Sequence, residues 1–244
     1  MVKYDDDLKI FYSPLINDEF YFSGFSTKIL GDGRKIDVIS NFFQKSNFFF
    51  KKIVVLEQIH SANINFFISK TNSLFEKITN ADGVITKDKE TVLVIRSADC
   101  LSLIFVEKEE GIIGISHQGW RGTIKRMAQK MVDKMIEIGA KKQKIFVVFG
   151  PAIGICCYNI DEDRYFQFRE EFSGYSDKIF SYRGGQIFLN LSLLNYLQLK
   201  DKGLEEKNID FFQSCTQCDE KRFFSFRRQK KHDYGQMFNF IVRY

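Results

Sequence analysis

A chain of 244 residues, 44% of them hydrophobic, can bury a substantial core and is too apolar to stay disordered. Its net charge of +5 is only mildly basic, which suits an anionic small molecule or incidental nucleic-acid contact and demands neither. No apolar run is long enough to span a bilayer. The opening residues carry Asp5, Asp6 and Asp7, where a signal peptide needs a basic start and an apolar centre, so a cytoplasmic protein is expected.

The five cysteines are odd in number and two are adjacent, a poor disulfide framework that better suits reduced thiols. With 27 Phe, much of the aromatic content must be core, because that many exposed rings would invite aggregation. No repeat, low-complexity tract or Gly/Pro/Ser linker divides the chain, so residues 1–244 read as a single domain. In chain order, β-branched and aromatic runs predict strands over residues 53–56, 91–95, 101–106, 112–116 and 145–149. A helix is predicted after Thr123. Ile124, Met127, Ala128, Met131, Val132, Met135, Ile136 and Ile138 make one apolar stripe at three- and four-residue steps, with Thr123 as N-cap and Gly139 as stop. A second helix is predicted over residues 191–200. The elements mix without strict alternation, which points to an α+β domain.

Residues 101–106 and 112–116 flank a polar stretch ending in Gly111 and read as an antiparallel hairpin. Pairing Val106 with Gly111 and counting outward sets Cys100 opposite His117, on the same face. A slip of one residue would separate them. His60 follows the strand at 53–56. One thiolate and two imidazoles leave a fourth position open, the pattern of a catalytic zinc, which would acidify water into a nucleophile. The same three residues also fit a small buried thiol and two ordinary hydrogen-bonded imidazoles. In the run His117 to Thr123, Gly119 and Gly122 let the backbone approach a ligand. Arg121 and the N–H groups of the following helix would favour an anion; a strand-to-helix turn with a surface Arg accounts for the same residues. Asp99, beside Cys100, is a candidate proton shuttle, or it orients His117 or a backbone group.

Cys215 and Cys218 form a Cys-x-x-Cys. A zinc ribbon needs a second pair, and Cys156-Cys157 is wrongly spaced, so Cys215 reads as structural, Cys218 as incidental and Cys156-Cys157 as packed core. Residues 221–231 interleave Lys221, Arg222, Arg227, Arg228, Lys230 and Lys231 with Phe223, Phe224 and Phe226. That composition can stack bases and neutralise phosphates, but a basic, solvated loop beside a core strand is commoner. His232 reads as a solvated loop residue.

Taken together, these segments resemble the YfiH-type family, also called the laccase-like polyphenol oxidase or purine nucleoside phosphorylase family. Gln58-Ile59-His60 is similar to its Gln-x-His. Ala81-Asp82-Gly83 and Ser97-Ala98-Asp99-Cys100-Leu101 resemble its Ala-Asp and Thr-Ala-Asp-Cys blocks. His117 to Gly122 resembles His-Ala-Gly-Trp-Arg-Gly. Gly150-Pro151-Ala152-Ile153-Gly154 with Cys156-Cys157-Tyr158 resembles Gly-Pro-x-Ile-Gly-Pro-Cys-Cys-Tyr. Cys215-Thr216 and Phe223 to Arg228 are similar to Cys-Thr and Phe-Phe-Ser-Tyr-Arg-Arg. The departures are Gln118 for Ala, Ile155 and Ser102 for Pro, Asn190 for Asp, and Gln236 for Arg.

The resemblance implies a four-layer α/β/β/α sandwich with mixed sheets. It implies zinc, with copper as the alternative, on His60, Cys100 and His117. It also implies purine nucleoside phosphorolysis, with adenosine deamination and methylthioadenosine cleavage as related activities. Gln58, Arg227 and Arg228 are then candidates for substrate binding, and Asp99 and Arg121 for catalysis. The expected partners are a small nucleoside and phosphate, not a membrane. Editing of peptidoglycan precursors and copper-dependent phenol oxidation are the enzyme alternatives. A nucleic-acid-binding module is the alternative from another class, and it leaves the His60, Cys100 and His117 pattern unexplained.

Overall fold

The computed structural model of the protein describes residues 1–46, 48–229 and 234–244. Two mixed sheets form its centre. The first runs in the spatial order Lys3–Asp5, Ile10–Tyr12, Tyr21–Ser26, Met237–Arg243, Thr91–Ser97, Lys52–Leu56, Phe75–Ile78. Its last two pairings are parallel and the rest antiparallel. The second runs Ile209–Phe211, Ile145–Phe149, Leu101–Glu107, Ile112–Gln118, Gly83–Thr86, Ile64–Phe67, parallel at its two outer pairings and antiparallel between them. A third, antiparallel sheet joins Asn159–Ile160, Gln186–Leu189 and Phe180–Arg183. The fold is thus mixed α/β with several sheets, and each of the five predicted strands is present within two residues of its expected ends.

The alternation of side chains along a strand sorts the core. In Leu101–Glu107, Ile104 and Val106 face one way, where they meet Val54, Leu93, Ile95 and Ile241 of the first sheet in one buried cluster. Leu101, Leu103 and Phe105 face the other way and pack with Met127, Met131 and Met135 of the helix Met127–Glu137. The far face of the first sheet is covered by the helix Ile36–Lys45, whose Phe42 and Phe43 meet Phe238 and Phe240. These rings sit edge to face, with Phe43 and Phe240 centroids 4.9 Å apart, a geometry aromatic pairs prefer. Among the described residues no helix is long and apolar enough to cross a membrane.

Two expectations need correction. In the central hairpin Glu107 pairs with Ile112 and Val106 with Ile113, so the register is shifted by two residues from the one that set Val106 against Gly111. Glu107 extends the strand because its buried carboxylate accepts the Glu110 N–H at 2.7 Å, which closes a four-residue turn. A slip of two preserves the face of every side chain, and Cys100 stays on the side of His117. The helix is also broken. Thr123 lies inside a short helix, Trp120–Ile124, and Arg126 adopts a left-handed φ of 59° before Met127–Glu137 begins. The carbonyl that a continuous helix would use at Thr123 is taken by Arg126 N–H and by the buried amide of Gln198 at 3.0 Å.

The second predicted helix forms as Leu191–Asp201, with the Asn190 side chain accepting from Leu193 N–H at 3.0 Å. Asn serves as well as Asp at an N-cap. Asn190→Ala is expected to lower stability by about 1 kcal/mol, and Asn190→Asp to retain it. Equilibrium urea unfolding of the three proteins measures both.

Candidate metal centre and cavity

His117 and Cys100 come from the central hairpin, and His60 from the loop after Lys52–Leu56. The three ligand atoms lie within 4.8 Å of one another, and the two imidazole rings meet edge to face with centroids 4.9 Å apart. What aligns them is Asp82, fully buried and set opposite His117 by the pairing of Ser116 with Gly83. One carboxylate oxygen faces His117 Nδ1 at 2.9 Å and accepts His60 N–H at 3.0 Å. The other accepts Ile59 N–H, Ser61 N–H and Ser61 O–H. His60 is held at a left-handed φ of 58°, and Asp99, just before Cys100, at 85°. Such backbone persists only where surroundings enforce it, and it gathers at functional sites.

The electrostatics agree. Burial pushes the Asp82 carboxyl up, but hydrogen bonds from His117 and Ser61 overcome this and hold it at about 2. An ionised Asp82 makes His117 donate from Nδ1, which turns Nε2 toward the site. Burial alone would raise the Cys100 thiol; His117 and His60 bring it down to about 6. Burial alone would lower His117; the Cys100 thiolate and Asp82 raise it to about 9. The resting pair is a thiolate beside an imidazolium. A Cβ built on Gly119 would lie 3.1 Å from His60, 3.4 Å from Cys100 Sγ and 3.4 Å from His117, so only bare backbone fits there. One thiolate, two imidazoles, a carboxylate behind one imidazole and no further Cys, His, Asp or Glu in the group among the described residues together fit a transition metal with an open position.

The three residues open into a cavity of about 470 Å³. Four arginines line it: Arg96, Arg121, Arg164 and Arg227. Trp120 lies between two of them, with the Arg121 and Arg164 guanidinium carbons 4.3 and 4.5 Å from its ring centre. Tyr158, Phe226 and Tyr234 add further aromatic surface. A cavity of several cations and flat rings suits an anionic group joined to a planar one.

Residues 33–244 match the sequence model of the multi-copper polyphenol oxidoreductase laccase family. The chain belongs to this family. The purine nucleoside phosphorylase YlmD of Geobacillus stearothermophilus is 32% identical over 225 residues, 88% of this chain and 81% of that one. Its crystal structure superposes with a TM-score of 0.83 over 96% of both chains at 28% identity, so the fold is that of YlmD. The crystal structure of Bacillus licheniformis YfiH gives the same TM-score of 0.83 at 27% identity, covering 92% of this chain and 93% of that one. A protein named adenosine deaminase RL5, from an unknown prokaryotic organism, is 29% identical over 62% of this chain and 58% of its own length.

Within the multi-copper polyphenol oxidoreductase laccase framework the candidate residues fare differently. Arg121 and Arg227 reach the cavity. Arg121 belongs to a helix of five residues, so the long helix expected behind it does not stand at this point. Arg227 also bonds the Asn159 side chain and its carbonyl. Gln58 lines the cavity, but its amide is paired at both ends with the Arg96 backbone at 2.8 Å. Arg228 does not line it: its guanidinium donates to the carbonyls of Thr216, Gln217 and Phe223. Asp99 lines the cavity yet does not orient His117, which is the task of Asp82. Its carboxylate accepts Thr216 O–H, Ser225 O–H and Arg227 N–H at 2.6, 2.9 and 2.7 Å. Gln236 does face the cavity and brings no charge to it. In the basic block Phe223 is fully buried and Arg222 pairs with Asp219, while Phe226 is exposed and lines the cavity; Lys230, Lys231 and His232 lie outside the described residues. Sequence reasoning missed Asp82, Arg96, Arg164, Trp120, Tyr158 and Tyr234. Asp82, Trp120 and Tyr158 did leave a signal, since each lies in one of the motif blocks, whereas Arg96, Arg164 and Tyr234 lie outside them.

Cys100→Ala, His60→Ala and His117→Ala are each expected to lose the metal of this site, because two ligands and water hold it far more weakly. Asp82→Asn should keep the ligands and weaken binding by roughly 10–100-fold. Competition against a chromophoric chelator reads all four. The pKa values set a second expectation. Between about pH 6 and pH 9 Cys100 is already thiolate and His117 still carries its proton, so metal entry displaces about one proton from His117. Above about pH 9 that release vanishes. Calorimetric titrations in buffers of different ionisation enthalpy count it as the difference from Cys100→Ala protein.

Proposed function

We propose that this chain is a zinc-dependent purine nucleoside phosphorylase that also deaminates adenosine and cleaves methylthioadenosine. The observation that carries this reading is one cavity in which a His60, Cys100, His117 metal centre, four arginines and four aromatic side chains meet. Relatives named purine nucleoside phosphorylase and adenosine deaminase support it. A purine needs flat apolar surface, and Trp120, Tyr158, Phe226 and Tyr234 supply it. Phosphate needs fixed cations, and Arg121 and Arg164 hold theirs against the Trp120 ring.

Phosphorolysis then proceeds by attack of a phosphate oxygen on C1′ as the bond from C1′ to the purine nitrogen breaks. The arginines orient the phosphate and offset its charge, and the aromatic walls hold the leaving base. Zinc, when bound, supplies Lewis acidity and acidifies water, the chemistry a deamination requires. Asp99 acts by position: its carboxylate ties Arg227 and Ser225 to the chain beside Cys100. Copper is the second reading, favoured by the donor set itself, since one thiolate with two imidazoles also suits that ion. The thiol-rich, disulfide-free chain fits a reducing compartment such as the cytoplasm.

Protein of known metal content, incubated with inosine or adenosine and phosphate, should release free base and ribose 1-phosphate, and adenosine alone should release ammonia. No base and no ammonia at any zinc loading, with phenol oxidation on copper loading, would reverse the order of the two readings. Arg121→Ala and Arg164→Ala should each raise KM for phosphate about 10–100-fold, the loss of one charged hydrogen bond, with zinc content unchanged.

A further inference from the structure

Four of the five cysteines lie away from the site just described. Cys156 and Cys157 sit on the tight turn after Gly154, where Cys157 and Tyr158 N–H groups both donate to the Gly154 carbonyl. Cys215 and Cys218 sit on the turn that begins at the bridge between Ala152 and Cys215. Sequence spacing made Cys156-Cys157 core and Cys218 incidental. The structure overturns the first for Cys156, which is exposed, while Cys157 is half-buried and packs against a core cluster; Cys218 is exposed and Cys215 half-buried, and the four Sγ atoms lie within 4.8 Å of one another. The second pair that a metal site needs is supplied by the fold.

The geometry points to a second metal site, in which Cys156, Cys157, Cys215 and Cys218 hold a thiophilic divalent cation such as zinc as a tetrathiolate. Cys218 Sγ is 3.3 Å from Cys157 Sγ and 3.6 Å from Cys156 Sγ. Thiolates around an ion at ~2.3 Å are separated by about 3.8 Å. A disulfide brings two sulfurs to ~2.05 Å and leaves the other two idle; here all four converge and none is bonded. Burial does not explain the cluster, since a free Cys serving as a core hydrophobe is normally enclosed.

Backbone donors favour charged sulfur at Cys215. Gly154 N–H donates to Cys215 Sγ at 3.2 Å, and Gln217 and Cys218 N–H groups point to the same sulfur. A Cβ on Gly154 would lie 3.1 Å from Cys156 Sγ and 3.2 Å from Cys215 Cβ, so the cup closes over bare backbone as the His60 site closes over Gly119. Four thiolates and one divalent ion carry a net charge of two minus. Lys28 and Lys221 line the depression that holds Cys215 and Cys218, together with Glu220 and the Arg222–Asp219 ion pair, and Arg183 donates to the Ile155 and Cys156 carbonyls. Each thiol gives its proton to solvent as it ligates.

Four protein ligands leave no open position, so this ion is structural and not catalytic. It ties the turn at Cys156 to the turn at Cys215. The first carries Ile153 and Tyr158 into the cavity wall, and the second sets Thr216 on Asp99. The ion therefore braces the cavity from behind, whichever substrate the cavity takes.

The test is a titration of reduced, metal-stripped, full-length Cys100→Ala protein with Co2+. One equivalent is expected to bind with the sulfur-to-metal charge transfer and the visible bands of a tetrahedral tetrathiolate, and Zn2+ should displace it. Adding Cys218→Ser should abolish that spectrum. Alkylation mapped by mass spectrometry on the unsubstituted protein serves where a variant fails to fold: Zn2+ should protect Cys156, Cys157, Cys215 and Cys218 together. Absence of any thiolate-bound Co2+ in the Cys100→Ala protein, alkylation of those four thiols at one rate with and without Zn2+, or a Cys157–Cys218 disulfide in protein kept anaerobic would each overturn the proposal.

Discussion

Five hydrogen bonds converge on the buried carboxylate of Asp82, and the ligand geometry rests on them. The loop that carries His60 has no regular secondary structure, so its N–H groups need partners that a strand or helix would otherwise provide. Asp82 takes three successive ones. The same carboxylate fixes the ring of His117, which arrives from a strand held on both sides. A rigid ligand and a loop ligand are thereby referred to one atom group. A buried carboxylate without donors would be costly; here every donor comes from the site it organises.

Around that centre, the cavity is built by groups that do two things at once. Arg227 reaches the cavity while its backbone N–H is held by Asp99. Gln58 lines the wall and also staples the His60 loop to the strand Thr91–Ser97 through Arg96. Trp120 offers a face to the cavity and keeps two guanidinium groups near it. This economy accounts for why residues read from sequence as substrate contacts are structural ties in part: the site is small, and its walls must be held by the residues that form them.

The strands and the candidate metal group were legible because their signals are local or carried by residue type. Apolar runs such as residues 101–106 mark strands buried on both faces. A thiol and two imidazoles in a chain with three histidines leave few combinations. The hairpin register was misjudged by two, and the face argument survived because the error was even. Less visible were features created by contacts between distant segments. The break at Arg126 depends on Gln198 and Asn195 reaching Thr123 from another helix. Helix Ile36–Lys45, rich in Phe and β-branched residues, has a composition that does not separate helix from strand. The four-thiol cluster joins residues some sixty positions apart, a juxtaposition that no spacing rule contains.

The place of Met237–Arg243 bears on how the protein is made. This strand lies inside the first sheet, between Tyr21–Ser26 and Thr91–Ser97, and bonds to both. During synthesis every other strand of that sheet leaves the ribosome before it. Until it arrives, the sheet is two separate halves, each with an open edge and with Ile95 and Phe25 uncovered. Open apolar edges are templates for wrong pairing, and contacts of such long range form slowly. The nascent chain is thus exposed to edge-to-edge pairing until the two halves are zipped together.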